Sequence, residues 1–366
     1  MTMKKIAYII ESLYNSAGME REIPLKANAL SAYYDVTFIT RDQQGRPPFT
    51  KLDPRVKLID CAAHDKEEYR AALEKILMKN RYDICLATGG LEFYFLYKIK
   101  DGSKKIFEFH FSYDISRVWM GSQMSGVKLW LFSTLQKMRR IWIAKHYDRV
   151  VLTCKTDCDK WRRWIPSATY IYNPLTVDPQ STSSCDSKKV IAVGRLDYQK
   201  GFDMLIHLWA SVAKKHPDWQ LTIYGEGKLR LDLEQQVKDL QLQDTVSLPG
   251  RTTAIEEKYL ESSIFVLSSR DEAFGLVITE AEACGLPIVT FDCPSAPAEL
   301  VKDSTNGFIV PLGDEEAMAD CICRLIEDAS LRKEFGKASV AFAKQFHVDN
   351  IAKQWKELFE ETLRYE

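Results

Sequence analysis

Two glutamates in the second half of the chain, Glu272 and Glu280, have a spacing that could serve a ligand, with seven residues between them. An apolar run precedes the first, a helical pattern beginning near Leu276 contains the second, and a β-branched run follows. This order predicts a βαβ unit whose loop lies at the carboxyl edge of a parallel sheet, where ligands bind. The helix N-terminus favours phosphate, and carboxylates accept hydrogen bonds from sugar hydroxyls. The segment therefore indicates a site for a ligand such as a nucleotide-sugar.

The elements needed to position such a site recur along the chain. Apolar runs alternate with helical patterns, which predicts parallel sheets covered by helices on both faces. A length of 366 residues fits two α/β domains better than one core. The predicted strands are Lys5–Ile10, Val36–Ile39, Val56–Ile59, Ile84–Ala87, Ile106–Phe111, Val150–Leu152, Val190–Val193, Leu221–Tyr224, Val246–Leu248, Ile264–Leu267, Ile288–Phe291 and Gly307–Val310.

The composition of the chain argues against several classes of protein. A hydrophobic content of 46% with 28% charged residues predicts a globular chain, and a net charge of −1 argues against bulk affinity for nucleic acid. The sequence contains no apolar run of about 18 residues, so it predicts no membrane-spanning helix. The short apolar run Ile6–Ile10 meets Glu11 at once, which favours a first strand over a signal peptide. The nine cysteines lack zinc-site spacing and predict free thiols in a reducing cytoplasm.

The spacing of the two glutamates does not by itself indicate a functional site, because helices often carry acidic residues that are only solvated. Together with Phe274, Gly275 and the exit Gly285-Leu286-Pro287, however, the segment closely resembles the E-x7-E signature of family 4 retaining glycosyltransferases, also called glycosyl transferases group 1. The resemblance is strong over about 190–312 and diffuse over the first half. It implies the GT-B architecture, in which two Rossmann-like, doubly wound α/β domains face each other across a cleft.

The domain boundaries follow from one irregular stretch. Residues 173–184 are rich in proline and serine and have no periodicity, which is typical of a linker. We expect an acceptor-binding domain over 1–172 and a nucleotide-sugar-binding domain over 173–349. Residues 350–366 form an amphipathic helix, and the resemblance implies that this helix packs back on the first domain.

A second motif opens the predicted donor domain. Arg195 can grip phosphate oxygens as a fork, and Lys200 adds a point charge, although one such pair is unremarkable alone. Residues 193–206 are similar to the diphosphate-binding segment of the family, which implies that Arg195, Lys200 and Glu272 are catalytic. Glu280 is expected to hold the ribose hydroxyls, and Glu272 is expected to contact the donor sugar. The donor-binding residues implied by the resemblance are Gly18, Gly194, Arg195, Lys200, Gly225, Arg251, Glu272, Ala273, Phe274, Gly275, Leu276 and Glu280.

Two of the implied residues lie in the first domain. The family usually has two glycines after the first strand, whereas this chain has Ala17 and Gly18, so only Gly18 carries over. His110 lies at the end of the strand Ile106–Phe111, where a lone histidine is more often a core group. Its position matches a family histidine beside the donor sugar, which implies a catalytic role in holding a hydroxyl and supporting developing charge.

No metal or cofactor is expected. Asp157 and Asp159 have the Asp-x-Asp spacing that binds manganese in glycosyltransferases of another fold. Here the pair lies past the strand, where acidic residues suit the first turn of a helix. The charge of the leaving group would therefore fall to Arg195, Lys200 and the helix N-termini.

The resemblance implies a retaining, metal-independent hexosyltransferase of bacterial surface polysaccharide biosynthesis. A UDP-sugar is the expected donor, with a guanosine nucleotide left open, and a glycan or polyprenyl-diphosphate-linked sugar is the expected acceptor. Two alternatives stay open. One is a GT-B nucleotide-sugar epimerase, which would need further acid/base residues. The other is a non-enzymatic two-domain sugar-binding protein.

The segment 117–145 bears on location. It mixes tryptophan and aliphatic residues with basic residues, among them Arg139 and Arg140, as an interfacial helix does. An ordinary core-facing helix with a solvated basic side would show a similar pattern. We expect a cytoplasmic protein that attaches peripherally to the anionic inner face of the cell membrane.

Overall fold

A computed structural model describes residues 3–121 and 123–364. The predicted strands are present, with ends shifted by at most two residues, and one additional two-residue strand, β7, precedes the linker. The strands are β1 (Lys5–Ile10), β2 (Asp35–Thr40), β3 (Lys57–Asp60), β4 (Ile84–Ala87), β5 (Lys104–Phe109), β6 (Arg149–Leu152), β7 (Thr169–Tyr170), β8 (Lys189–Val193), β9 (Gln220–Tyr224), β10 (Val246–Gly250), β11 (Ile264–Leu267), β12 (Ile288–Asp292) and β13 (Gly307–Pro311).

Helices follow most of the strands, as the alternating pattern predicts. Short 3-10 turns lie at Leu91–Tyr94, Leu96–Lys98, Tyr198–Lys200 and Lys344–Phe346. The helices are α1 (Gly18–Leu30), α2 (Lys66–Asn80), α3 (Ile115–Met120), α4 (Gly126–Ala144), α5 (Lys155–Arg162), α6 (Phe202–Lys215), α7 (Arg230–Asp239), α8 (Ile255–Leu260), α9 (Leu276–Ala283), α10 (Pro297–Leu300), α11 (Glu315–Glu327), α12 (Ala329–Ala343) and α13 (Val348–Arg364).

The chain divides into two compact units. The first unit comprises Met1–Ser116, Trp130–Thr176 and Phe346–Glu366, and the second comprises Arg117–Leu129 and Val177–Gln345. The boundary between the two units therefore lies at 176/177, within the predicted linker and slightly later than the expected 172/173. The chain returns to the first unit at 345/346, before the expected 349/350. The segment Arg117–Leu129 groups with the second unit, although the sequence places it within 1–172.

The first unit is built on a seven-stranded parallel sheet in the order β3-β2-β1-β4-β5-β6-β7. Its central strands β1 and β4 are apolar runs whose residues are almost all buried, because helices cover both faces of the sheet. The order reverses between β1 and β4, so the loops that follow these strands diverge there. Such a reversal opens a crevice at the carboxyl edge of a doubly wound sheet.

The second unit repeats this plan with six parallel strands in the order β10-β9-β8-β11-β12-β13. Here the reversal lies between β8 and β11, which pair in parallel through Ile264 with Val190 and Phe265 with Ile191. The loops after β8 and β11 contain the two motifs that the sequence singles out. The topology therefore places both motifs at one edge of the sheet.

The last helix, α13, belongs to the first unit and packs against α1. Its apolar stripe explains the contact, because Ile351, Trp355 and Phe359 join the core formed by the first sheet. Trp355 is only 1% exposed, and its ring lies 4.4 Å from the ammonium of Lys26 on α1. The C-terminal helix is therefore an integral part of the core of the first unit.

The basic, aromatic segment 117–145 is not one continuous helix. It contains the end of α3 and the whole of α4, with a break before Gly126, whose φ is +59°. The face of α4 that carries Leu131, Leu135, Met138 and Trp142 is exposed, at 40–60% for each side chain. We call these four residues the α4 apolar face. In the part of the chain that the structure describes, no helix is both long and apolar enough to span a membrane.

Truncation of Trp355 tests the role of α13. We expect Trp355→Ala to lower the free energy of unfolding by about 3–5 kcal/mol, because it removes a large core side chain and its contact with Lys26. Urea unfolding measures this change. Lys353→Ala, at an exposed position of the same helix, is the control and should change stability little. Equal effects of the two substitutions would contradict the packing described here.

Candidate functional site

The residues predicted to bind phosphate and sugar meet at the carboxyl edge of the second sheet. The loop after β8 carries Arg195 and Lys200, and the loop after β11 carries Glu272. The ammonium of Lys200 forms an ion pair with Glu272 Oε1, and the hydroxyl of Ser269 donates to the same oxygen at 2.7 Å. The Lys200 side chain is 13% exposed, and the Glu272 side chain is buried at 7% exposure. The sequence identified both residues but not their contact.

A glycine allows these loops to approach each other. Gly201 has a φ of +64°, and a Cβ added to it would lie 2.1 Å from the carbonyl oxygen of Ser268. Any other residue would clash with backbone that cannot move aside. The Ser268 hydroxyl donates to the Lys200 carbonyl oxygen at 3.0 Å, which ties the loops together. The Lys200–Glu272 pair therefore sits on a junction fixed by main-chain packing.

Arg195 is more accessible than Lys200, with its side chain 62% exposed. Its guanidinium donates to Gln199 Oε1 at 3.2 Å and lies 3.4 Å from Asp197 Oδ2. The Gln199 amide in turn donates to the Asp271 carbonyl oxygen at 3.0 Å. Gln199 therefore links the arginine to the loop after β11, a contact that no pattern in the sequence indicates.

The loop after β9 packs directly on the loop after β8. Gly225 has a φ of +154°, and a Cβ on it would lie 1.8 Å from the Gly194 carbonyl oxygen. Gly194 and Gly225 are thus adjacent. Arg251 follows β10, the edge strand beyond β9, and is exposed.

The loop after β11 leads into α9 through Gly275, which is the residue before the first turn of the helix. Phe274 is buried at 3% exposure, whereas Ala273 and Leu276 are partly exposed. The aromatic side chain therefore anchors the loop in the core, and its neighbours present main chain and small side chains at the surface. This arrangement keeps the N-terminus of α9 close to Glu272.

Glu280 occupies a different environment from Glu272. It lies on α9 and is fully buried, and the hydroxyl of Tyr259, also fully buried, donates to Glu280 Oε2 at 3.0 Å. The sequence predicted a carboxylate presented to ribose, but it gave no sign of this tyrosine. The hydrogen bond fixes the orientation of the carboxylate within the unit.

Sequence reasoning missed two further acidic residues in this region. Glu282, two positions after Glu280, is fully buried and accepts a hydrogen bond of 2.8 Å from Asn306, and burial raises its pKa well above the ordinary value. Asp203 forms a two-pronged ion pair with Arg270 at 2.8 and 2.6 Å. These pairs join residues far apart in the chain, so no local spacing could have indicated them.

In the first unit, His110 lies just past β5, which ends at Phe109 and not at the expected Phe111. Its side chain is only 3% exposed. Ring atom Nδ1 lies 3.2 Å from Glu22 and Nε2 lies 3.4 Å from Glu108, neither with hydrogen-bond geometry. The imidazole therefore lies between two internal carboxylates. Gly18, at the start of α1, lies on the helix that carries Glu22.

A buried lysine completes this group. Lys26 is 1% exposed, forms an ion pair with Glu108 and lies 4.0 Å from Glu22. Burial raises the pKa of Glu22 to about 7, although Lys26 and His110 act in the opposite direction. Burial also disfavours ionisation of Glu108, but Lys26 and His110 outweigh it and hold its pKa at about 2. Proximity to the ammonium decides which carboxylate ionises more readily.

The same groups offer a possible ligand set for a metal ion. Ligand atoms of Glu22, Glu108 and His110 all lie within 4.8 Å of one another. The Lys26 ammonium, however, already supplies positive charge there and would repel a second cation.

Asp157, of the Asp-x-Asp pair, lies in the first turn of α5. Its carboxylate accepts from the Tyr113 N–H and pairs with Lys160, both at 2.8 Å.

Comparison with known proteins agrees with this geometry. Residues 176–341 match the family model described as glycosyl transferases group 1. An uncharacterized glycosyltransferase of Haemophilus influenzae is 29% identical, over 97% of this chain and 99% of that protein. A Campylobacter jejuni protein is 25% identical, over 98% of this chain and 99% of its own. It is named GalNAc-alpha-(1->4)-GalNAc-alpha-(1->3)-diNAcBac-PP-undecaprenol alpha-1,4-N-acetyl-D-galactosaminyltransferase.

Solved structures share the fold. Staphylococcus aureus TarM, in complex with fondaparinux, alpha-GlcNAc-glycerol and UDP, superposes with a TM-score of 0.83 at 17% identity, covering 98% of this chain and 100% of TarM. The likeness extends over both units, and the fold is GT-B, as the sequence predicts.

The raised pKa of Glu22 gives a testable dependence of stability on pH. Folded Glu22 keeps its proton up to about pH 7, whereas the unfolded chain releases it near pH 4.5, so this group costs stability as the pH rises through that window. Glu22→Gln cannot ionise. We expect its stability relative to the native protein to increase between about pH 5 and pH 7.5, measured by urea unfolding. Glu357→Gln, at an exposed position, serves as the control. A difference that does not vary with pH would refute the assignment.

Proposed function

We propose that this member of the glycosyl transferases group 1 family transfers a sugar from a UDP-sugar to a glycan or lipid-linked sugar acceptor, with retention of configuration. UDP is supported by the TarM complex, which contains it. A lipid-linked acceptor is supported by the Campylobacter jejuni relative, whose name specifies a sugar chain on PP-undecaprenol. Surface polysaccharide biosynthesis is the proposed setting.

The contact between Lys200 and Glu272 is the observation that carries the proposal. In a nucleotide-sugar the distal phosphate is bonded directly to the sugar, so a cation for the phosphate and a carboxylate for the sugar hydroxyls must be neighbours. The Lys200–Glu272 ion pair, with Ser269 on the same carboxylate oxygen, meets that requirement at the edge of the second sheet. A site for phosphate alone would gain nothing from a carboxylate there.

The proposed mechanism needs no metal ion. As the glycosidic bond breaks, negative charge grows on the diphosphate, and a cation that is already in place stabilises it most. Lys200 is held on its ion-paired junction and Arg195 is linked to that junction through Gln199. These two cations are proposed to neutralise the leaving group, assisted by the N-terminus of α9.

Retention is proposed to occur by attack on the same face of the sugar from which the diphosphate leaves. Glu272 Oε1 is engaged by Lys200 and Ser269, and this lowers its strength as a nucleophile. We therefore propose that the leaving phosphate, and not a protein carboxylate, helps to remove the proton from the acceptor hydroxyl. The two products are the glycosylated acceptor and UDP.

Glu280 is proposed to bind the ribose, with its carboxylate oriented by Tyr259. His110 is proposed to act through its main chain. The side chain of His110 is buried between Glu22 and Glu108, but the residue as a whole is partly exposed. The exposed part is therefore its backbone, at the carboxyl edge of the sheet.

A panel of nucleotide-sugars tests the class of activity. A transferase releases free sugar and nucleoside diphosphate slowly when no acceptor is present, and we expect these products from UDP-sugars. An epimerase would produce an isomeric nucleotide-sugar, and a binding protein would leave every donor unchanged. Either of the last two results would refute the proposed reaction.

Substitution of the cations tests the mechanism. Arg195→Ala and Lys200→Ala should each lower kcat by about 10²–10³, because each removes a preorganised charge that stabilises the transition state. Arg195→Ala is the cleaner of the two, since its loss leaves no buried carboxylate unpaired. Glu280→Gln should instead weaken UDP affinity. EDTA should change little, and Lys214→Ala, at an exposed position of α6, is the charge control. Manganese-dependent activity would contradict the metal-free mechanism.

Peripheral attachment to an anionic membrane is the second part of the proposal. The α4 apolar face is exposed, and Arg139 and Lys145, which are also exposed, lie beside it. Apolar side chains flanked by basic ones favour the membrane interface. Arg140 does not take part, because its guanidinium is largely buried, donates to Ser116 Oγ at 3.0 Å and lies over the Phe109 ring.

Vesicle flotation tests the attachment. With phosphatidylglycerol–phosphatidylcholine vesicles at low salt, the native protein should float. Leu135→Ser with Trp142→Ser should reduce binding by about tenfold or more, since each apolar side chain contributes over 1 kcal/mol on burial. Arg139→Glu should weaken binding mainly at low salt. Leu231→Ser, at a 78% exposed leucine of the second unit, is the matched control. Equal losses for Leu231→Ser and the double variant would exclude α4 as the attachment surface.

A further inference from the structure

A pocket of about 290 Å³ opens on the surface of the first unit. The N-terminal half of α2 forms one wall, and the 3-10 turns that follow β4 form the other. Its charged lining consists of Lys66, Arg70 and Lys98 together with Glu67 and Glu74. The volume lies at the small end of the range for small-molecule sites, which suits a head group better than a whole nucleotide-sugar.

The cations of this pocket do not form ion pairs with the glutamates of its lining. Within the described residues, none of the three cations lies within 4.0 Å of a carboxylate oxygen of Glu67 or Glu74. Lys66 is exposed and lies in the first turn of α2, where the helix dipole also favours an anion. The positive groups therefore stay available to a ligand.

Tyr94 connects the pocket to α4. The Lys66 ammonium lies 5.9 Å from the Tyr94 ring centroid, and the Arg139 guanidinium carbon lies 5.1 Å from the same centroid. Arg139 is four residues after Leu135 and three before Trp142, so on a helix it lies beside both. The cationic pocket and the α4 apolar face thus adjoin, with Arg139 at their border.

We propose that this pocket binds the phosphate or diphosphate group of a lipid-linked sugar whose apolar chain lies along the α4 apolar face. The mixed lining fits that chemistry, because cations pair with phosphate while Glu67 and Glu74 can accept hydrogen bonds from the hydroxyls of the attached sugar. This inference rests on the proposed transferase function and deepens it, since it assigns a binding site to the acceptor.

The test is protection of individual lysines from an amine-acylating reagent, read by mass spectrometry on the whole protein. The probe is geranyl diphosphate, which has a short apolar chain and a diphosphate. We expect it to protect Lys66 and Lys98, but not Lys75 and Lys79, which lie on α2 outside the pocket. Geraniol should protect neither pair, and inorganic pyrophosphate should protect Lys66 and Lys98 far less at equal concentration.

A matched pair of variants sharpens the result. Arg70→Ala should raise the geranyl diphosphate concentration needed for protection by about tenfold, and Lys79→Ala, which removes one charge from the same helix, should not. Equal protection of all four lysines, equal effects of the two variants, or equal protection by pyrophosphate would each overturn the proposal. UDP protection of Lys200 reports separately on the donor site, so failure of the proposed function can be distinguished from failure of the pocket.

Discussion

The ion pair between Lys200 and Glu272 joins two loops whose residues are 72 positions apart in the chain. Both side chains are largely removed from water, where a charge is stable only beside a partner, so each loop depends on the other for its conformation. The contact exists because β8 and β11 are neighbours at the reversal of strand order. Ser269, Gln199 and the approach of Gly201 to the main chain all reinforce that one junction. The proposed donor site therefore depends first on sheet topology.

Charge is used differently at the carboxyl edge of the first sheet. Lys26, Glu22, Glu108 and His110 are buried together, whereas Arg195 in the second unit is mostly exposed. In this group Lys26 and Glu108 depend on each other, because the loss of either would leave a buried charge without its ion-pair partner. Exposure leaves the arginine able to move toward a ligand. The buried group in the first unit therefore acts as a rigid support, whereas Arg195 is available for binding.

The sequence predicted the strands well, and it placed the motif-bearing loops after two of them, because both are local signals. Apolar runs of four to six residues mark buried parallel strands, and the motifs around Arg195 and Glu272 follow directly after two of them. The contacts of Glu280 with Tyr259 and of His110 with Glu22 could not be predicted, since they depend on packing between distant segments. For α4, the periodicity showed two faces but not which one packs inward. Arg140 therefore appeared available for a membrane although its guanidinium is engaged by Ser116 and the Phe109 ring.

The close approach of Gly225 to the Gly194 carbonyl oxygen has a consequence for how the proposed donor site can diversify. A backbone contact of this kind tolerates no side chain, so the loops after β8 and β9 must keep their path while the chain accumulates substitutions. If these loops bind the donor as proposed, variation in the nucleotide or sugar accepted is confined to side chains at their margin, such as Arg251, where exposure leaves room for exchange. Engineering of a new donor would accordingly begin at the margin and leave the glycine framework intact.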